Sequence, residues 1–393
     1  MRILQINSVY GFASTGKIVA DIHEKLLNDG YESYVIYSRK EPKNATFKNV
    51  TKIYSPIGVA MHAALALFFD KHGLYSKHST RKIINRIDEI NPDIIHLHVI
   101  HGFYLNYPML FDYIKKTNRK IVWTLHDCWE YTGYCAYYDY NECFEWKNGC
   151  KNCKYRNEYP YRLLSHSKQN FQIKKHCYEG VDMTLVSPSK WLDGEVSQSM
   201  MSNFKHQVIH NDVKLDHFYF EESNLRETNR LTDKRVLLCV ANVWTEQKGF
   251  SEIIKLSKLI DKDTRIVMIG VSKKQQKNLP VNIMGIQRID VNELRKWYST
   301  ADAFINCTLE DNYPTVNLEA KACGLPVISY RTGGSPEMLD SNDVVVDKYD
   351  ISMILGNLKN VNRLEKNSVN TMINMVSSYK QLYDNILEEK NER

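Results

Sequence analysis

An α/β chain of two domains is predicted by three features of the sequence. Its 393 residues exceed one ordinary core, and two domains of about 150 to 200 residues are expected. Arg2–Asn7 runs into an apolar strand, and Tyr10–Gly16 (YGFASTG) is a small-residue turn before a helical pattern over Lys17–Asn28. The same order returns where a strand over Arg235–Ala241 passes through Asn242–Lys248 (NVWTEQK) into a helix over Gly249–Ile260. Strand, turn and helix in that order open a Rossmann-like unit, which takes its ligands at the carboxyl ends of the strands.

The apolar fraction of 43% supports globular folding. Met1–Asn7 goes straight into a strand pattern without an apolar leader. The longest apolar run, Ile57–Phe69, is well short of the roughly 20 residues a membrane span needs. A cytoplasmic protein is expected. Net charge is +6, with 26 Lys/Arg against 20 Asp/Glu in residues 1–200 and 26 against 26 in the remainder, so all the excess lies in the first half. A basic N-terminal domain suits anionic lipid at the inner membrane face or a phosphorylated acceptor; an ordinary solvated surface is the alternative. Nothing resembles a nucleic-acid-binding stripe.

Along the first half, Glu32–Ser38 reads as a second strand. Ile57–Phe69 reads as an apolar helix packed in the core, with contact to a lipid acceptor as the other reading. Lys77–Ile90 is a basic amphipathic helix closed by Asn91 and Pro92. Asp93–Val99 (DIIHLHV) is a buried strand broken at Gly102. Strand alternation sends His96 and His98 to one face without placing His101, which favours a polar lining at a strand end over a metal site. Lys120–Leu125 is a strand ending in His126 and Asp127, where a histidine is as readily structural as functional. Tyr161–Cys177 reads as helix, Asp182–Val186 as strand, Lys190–Met201 as helix and Val208–Asn211 as a last short strand. Asp216–Asp233 is charged and without apolar period, the pattern of a linker.

Between Cys128 and Tyr159 periodicity fails and aromatic residues crowd together. Cys135, Cys143, Cys150 and Cys153 punctuate the segment, ending in a CxxC half-site. Structural zinc, buried reduced thiols and labile disulfides all remain open. With nine cysteines, an odd count, a disulfide framework is disfavoured for a cytosolic chain.

Asn306–Tyr330 (NCTLEDNYPTVNLEAKACGLPVISY) reads as strand end, acidic turn, short helix and strand. Pro314 suits the first turn and Gly324 the end of that helix. Free N–H groups and a partial positive charge at a helix N-terminus after Asp311 and Asn312 suit a diphosphate, and carboxylates nearby suit sugar hydroxyls.

This stretch resembles the donor site of the retaining glycosyltransferases of family four. Glu319, Ala320, Ala322, Gly324, Pro326 and Val327 match the second glutamate, the small-residue helix and the Gly-x-Pro-Val strand of their signature. Asp311 stands at the first glutamate's spacing and Glu310 one residue earlier, so either could meet the donor sugar. Thr124–Asp127 matches the family's strand-end histidine, and Lys248 its lysine, while Asn242 stands where relatives carry arginine. The cysteine-rich insert looks like that of a colanic-acid and capsular polysaccharide subgroup.

The resemblance implies a GT-B fold, two Rossmann-like domains facing each other across a deep cleft. It implies an acceptor domain over 1–215 with the insert at 128–159, a linker over 216–233, a donor domain over 234–365, and a helix over 366–393 crossing back to the first domain. It implies a retaining hexosyltransferase that needs no metal for catalysis and uses a nucleotide-sugar, UDP-linked, with a glycan or lipid-linked acceptor in surface polysaccharide synthesis. His126, Lys248 and Asp311 would be catalytic. Gly16, Asn242, Lys248, Glu310, Asp311, Asn312, Tyr313, Pro314, Thr315, Val316 and Glu319 would bind the donor, and Cys135, Cys143, Cys150 and Cys153 would hold zinc. A GT-B nucleotide-sugar epimerase and an inactive zinc-stabilised binding module are the competing readings.

Overall fold

A computed structural model describes residues 1–41, 47–151, 153, 155, 161–363 and 375–391. The chain forms two compact units, one of Met1–His210 with Asn374–Arg393 and one of Asn211–Ile373. The first is built on seven strands, β1 (Arg2–Ile6), β2 (Glu32–Tyr37), β3 (Val50–Lys52), β4 (Ile94–Leu97), β5 (Lys120–Thr124), β6 (Met183–Ser187) and β7 (Lys205–Val208). They form one sheet in the order β3-β2-β1-β4-β5-β6-β7, every pair parallel. The second holds β8 (Arg235–Val240), β9 (Thr264–Ile269), β10 (Ile283–Ile286), β11 (Ala303–Asn306), β12 (Val327–Tyr330) and β13 (Val344–Val346), ordered β10-β9-β8-β11-β12-β13 and again all parallel.

The strands read as near-unbroken apolar runs because both faces of the first sheet are covered. Alternation divides them between two clusters: Leu4, Ile95, Ile121 and Trp123 lie in one, and Ile3, Ile94 and Val122 in the other. The second cluster is completed by the C-terminal helix Met375–Asn391, whose Met375, Tyr379, Leu382, Tyr383 and Ile386 are buried with Ile18, Ile22 and Leu26 of the helix Ala13–Asn28. Those spacings of three and four make one helix face. The start of the predicted C-terminal segment, from 366, lies outside the described residues, as do 152, 154 and 156–159 of the insert.

Three expectations need correction. The predicted linker is packed into the second unit: Phe218 and Leu231 are buried in its core, the short helix Leu225–Thr228 lies between them, and Arg226 pairs with Asp302 at 2.7 Å. Its apolar anchors are too far apart to show a period. The last strand of the first sheet is Lys205–Val208, not Val208–Asn211; as an edge strand it carries polar residues that hide it. The helix Pro56–Phe69 does not pack in the core. Only His62 and Ala66 are buried, while Ile57 is 79% exposed, Met61 61% and Phe68 52%. No helix among the described residues is long and apolar enough to cross a membrane.

Candidate active site

In each sheet the strand order turns between two neighbours, β1 and β4 in the first and β8 and β11 in the second, and the loops leaving their carboxyl ends flank the switch point. In the second unit these loops are Ala241–Gly249 and Cys307–Pro314. They are locked together. Gly249 has φ +78°, and a Cβ there would lie 2.2 Å from the Cys307 carbonyl oxygen, so no side chain fits. Leu309 N–H donates to the Gln247 carbonyl at 2.7 Å.

This contact brings Lys248 to the acidic turn. Its Nζ lies 2.7 Å from Asp311 Oδ2 and 3.3 Å from the Glu310 carbonyl oxygen. Asp311 Oδ1 accepts the Tyr313 N–H at 3.2 Å. The helix Thr315–Ala322 follows, with Pro314 at its N-cap, a residue whose side chain offers no cap to the first N–H groups. Glu319, on its second turn, is buried, and Oε2 accepts the Tyr298 hydroxyl at 3.0 Å. The other predicted donor residues divide by exposure. Asn242 is exposed on the loop after β8, Thr315 and Val316 are half-buried, and Glu310 and Asn312 are buried. Asn312 gives its carbonyl to Gly334 N–H at 3.0 Å. Tyr313 packs with Leu318 and Met338, so its ring is part of the core.

In the first unit Gly16 sits in the first turns of the helix Ala13–Asn28 and accepts the Gly11 N–H at 2.8 Å. A Cβ on Gly16 would press on Val9 at 3.0 Å, so the loop's own packing accounts for this glycine. His126, just beyond β5, has Nε2 3.0 Å from His98 Nδ1, and His98 Nε2 lies 3.1 Å from Gln5 Oε1. Burial pulls the His126 imidazole down to about 4. Asp127 turns the other way: Oδ2 meets His101 Nε2 at 2.8 Å and Oδ1 accepts Trp129 N–H at 2.9 Å. Burial opposes the Asp127 carboxylate, but His101 beside it outweighs this and its pKa falls; the nearby Glu130 is pushed well up by burial and by Asp127.

The four cysteines of the insert line one cavity with Thr132, Tyr134 and Trp146 and are free thiols. Gly133 N–H points at Cys150 Sγ at 3.1 Å, and the Arg162 guanidinium at Cys153 Sγ at 2.7 Å. Hydrogen bonding from Cys135 draws the Cys153 thiol down, with Arg162 assisting. Among the described residues, the only group of three or more potential ligand side chains with donor atoms within 4.8 Å of one another is His101, Asp127 and Glu130. The thiol set therefore suits zinc chemically but is spaced more widely than a closed shell.

The description "Glycosyltransferase Family 4" matches residues 15–217, over half of the chain, and "Glycosyl transferases group 1" matches 221–376. The chain belongs to Glycosyltransferase Family 4. Among relatives, WcaC of Escherichia coli K12, a glycosyl transferase named for colanic acid biosynthesis, is 24% identical over 87% of this chain and 86% of its own length. Sucrose-phosphate synthase from Thermosynechococcus elongatus superimposes with a TM-score of 0.70 at 14% identity, covering 99% of both chains. HepE of Anabaena, solved in complex with UDP-glucose, gives 0.62 at 12% identity over 99% of this chain and 100% of its own. WaaG, a glycosyltransferase involved in lipopolysaccharide biosynthesis, gives 0.61 at 13% over 97% and 95%. These structures share the GT-B fold with this family-four glycosyltransferase.

Sequence reasoning missed the residues that hold the family's signature groups in place. Tyr298 lies 21 positions from Glu319, and Gln5 lies 93 from His98. Asn306 and Asn317 form a buried pair, with Asn306 Nδ2 donating to Asn317 Oδ1 at 2.8 Å, which ties the end of β11 to the helix Thr315–Ala322. A glutamine inside a central apolar strand was the one available signal, since a buried amide requires partners.

Proposed function

We propose that this family-four enzyme is a retaining, metal-independent transferase. It moves a hexose-type sugar from a UDP-sugar to a growing glycan or lipid-linked acceptor in surface polysaccharide synthesis, on the cytoplasmic side of the membrane. The observation that carries this reading is the Lys248 ammonium beside the acidic turn, next to a helix with Pro314 at its N-cap, whose side chain does not cap it.

Breaking the anomeric bond puts positive charge on the sugar and negative charge on the departing diphosphate, so catalysis consists largely of charges already in position. Lys248 and backbone N–H groups of Asn312–Val316 take the diphosphate. Glu319 takes the ribose, Asp311 or Glu310 orients the donor sugar, and His126 hydrogen-bonds it near the reacting carbon. The acceptor enters on the face the diphosphate leaves, which retains anomeric configuration. HepE's complex with UDP-glucose and WcaC's name support the donor class and the pathway class.

Two further parts belong to this reading. The exposed apolar helix Pro56–Phe69 rests on a lipid surface; Leu163 N–H donates to Leu67 O at 2.7 Å, which brings exposed Leu163 beside it. Cys135, Cys143, Cys150 and Cys153 hold a structural zinc that ties the insert together, supported by their shared cavity and by the donors aimed at sulfur. Metal content of the purified chain, about one zinc lost on Cys150→Ser, tests the latter.

The function is tested by incubating the enzyme with UDP-hexoses and following UDP release and the anomeric form of the sugar by NMR. Release with retained configuration supports the reading. A donor isomerised without acceptor, or bound without turnover, overturns it.

A further inference from the structure

Arg39 is a half-buried cation in need of a partner. Among the described residues no hydrogen bond or ion pair engages its guanidinium, and its Nε is buried without an acceptor. The carboxylate nearest in sequence, Glu41, is held by Lys52 at 2.6 Å. A guanidinium carries a charge and five donors, and shielding a donor from water without an acceptor costs free energy, so this arrangement points to a ligand. Its surroundings are fixed. Arg39 follows β2 at the carboxyl edge of the first sheet, and its N–H donates to the Ser8 carbonyl at 2.9 Å, which ties its loop to the loop after β1. Asn7 Oδ1 accepts the Val99 N–H at 3.1 Å and ties that loop to the one after β4. Gly102, in this third loop, has φ +105°, and a Cβ there would lie 3.0 Å from Arg39 Nη2 and 3.6 Å from Ser8 Cβ. The glycine lets the flat guanidinium rest against main chain. Its N–H donates to His72 Nε2 at 3.0 Å. A ring nitrogen that accepts carries no hydrogen, so the hydrogen of His72 is on Nδ1, which is also buried without a partner among the described residues. Two donors that flank one glycine therefore lack acceptors, and three strand-end loops hold them in place.

We propose that Arg39 is an oxyanion site of the first unit and takes a phosphate that joins the acceptor's glycan to a lipid. This rests on the readings that the first unit holds the acceptor and that the helix Pro56–Phe69 lies on lipid. A planar fork of N–H groups matches the oxygens of a phosphate, whereas a neutral glycan offers it only hydroxyls. The position of the site selects the lipid-linked source. The His72 ring centroid lies 6.2 Å from that of His62, which is on the buried side of the exposed apolar helix and accepts the Gly73 N–H at 3.0 Å. From that helix to the guanidinium the path runs through His62, His72 and Gly102 alone. A phosphate at Arg39 therefore lies close to where its apolar chain would meet the membrane.

Calorimetry on the full-length enzyme, saturated with UDP so that the phosphate-binding groups of the second unit are occupied, tests this with farnesyl phosphate, farnesol and inorganic phosphate. Wild type should bind farnesyl phosphate about tenfold or more tighter than either of the other two. Arg39→Gln should weaken farnesyl phosphate about tenfold or more and leave farnesol unchanged. Its thermal midpoint should be no lower than that of wild type, since no partner is lost. Arg39→Lys keeps the charge without the fork and should recover part of the affinity. Farnesyl phosphate bound no better than farnesol by wild type, or bound equally by Arg39→Gln, overturns the proposal. Inorganic phosphate bound as tightly as farnesyl phosphate would assign the site to a free phosphate and overturn the lipid-linked acceptor. The transferase reading fails separately. If wild type releases no UDP from UDP-hexoses yet binds farnesyl phosphate through Arg39, that reading falls and the site stands; if wild type transfers sugar while Arg39→Gln binds farnesyl phosphate normally, the site alone falls.

Discussion

Lys248 and Asp311 are joined across 63 residues of sequence by a 2.7 Å contact between ammonium and carboxylate, both partly exposed at the switch point of the second sheet. A diphosphate that engages Lys248 has to compete with Asp311. Lys248→Ala should therefore lower turnover roughly 10²-fold while leaving thermal stability near wild type, because a partly exposed pair contributes little to folding. Asp311→Asn should act in opposite directions on two quantities. UDP should bind several-fold more tightly by calorimetry, about threefold or more, because a competing and repelling charge is gone. Transfer should slow. Weaker UDP binding in Asp311→Asn would show that the carboxylate serves the nucleotide and does not rival it.

Much of this arrangement was legible in the sequence because it is local. The turn after Asn306, the helix opened by Pro314 and the Gly324 ending are signals carried by neighbouring residues, and each strand of a doubly covered sheet announces itself as an apolar run. What stayed hidden is non-local. Nothing near Glu319 points to Tyr298, and nothing near His126 points to Gln5. The helix Pro56–Phe69 misled for a different reason. Its apolar residues run all round it, the pattern of a core helix, and a sequence does not say that a neighbour is missing from one face.

Stability should fall steeply in acid. Burial is the leading cause that lowers His23, His62, His72, His96, His98 and His126, with His62 and His126 each down to about 4. A depressed histidine pKa means that the unfolded chain takes up a proton the folded chain refuses. Its contribution is complete above the unfolded value of 6.5 and is lost as pH falls toward the folded value. His62 and His126 should cost roughly 3 kcal/mol each by pH 4. Asp70 and Glu130, raised chiefly by burial, work the other way, two groups against six. Urea midpoints at pH 7.5, 6 and 5 should decline progressively, and a flat profile would contradict the burial of neutral imidazoles.

The exposed helix predicts lipid binding that depends on apolar contact as well as charge. Between Phe47 and Ile87 the one acidic residue is Asp70, buried against Arg162 at 3.1 Å, while Lys71, Lys77, Arg81 and Lys82 are exposed. Full-length protein should sediment with vesicles containing phosphatidylglycerol. Ile57→Asp combined with Phe68→Asp should reduce that binding about tenfold or more with little loss of thermal stability, since more than half of each residue's surface is exposed. Retained binding by the double variant would move the contact elsewhere on the surface.

Tyr298 and Glu319 allow the structural and ligand roles of one carboxylate to be separated. Glu319 is buried, and the Tyr298 hydroxyl donates to Oε2 at 3.0 Å. Tyr298→Phe strips that donor from a buried charge and should cost about 1–3 kcal/mol in urea denaturation. Glu319→Gln keeps an oxygen for the Tyr298 hydroxyl, so stability should change much less. It loses the charge that favours ribose hydroxyls, however, and UDP affinity should fall about tenfold. The loss should vanish with a UDP analogue whose two ribose hydroxyls are replaced by hydrogen, because that ligand gives the carboxylate nothing to accept. Equal weakening for both nucleotides in Glu319→Gln would mean that the substitution disturbs the helix Thr315–Ala322 and its N–H groups, and the ribose would then need another partner.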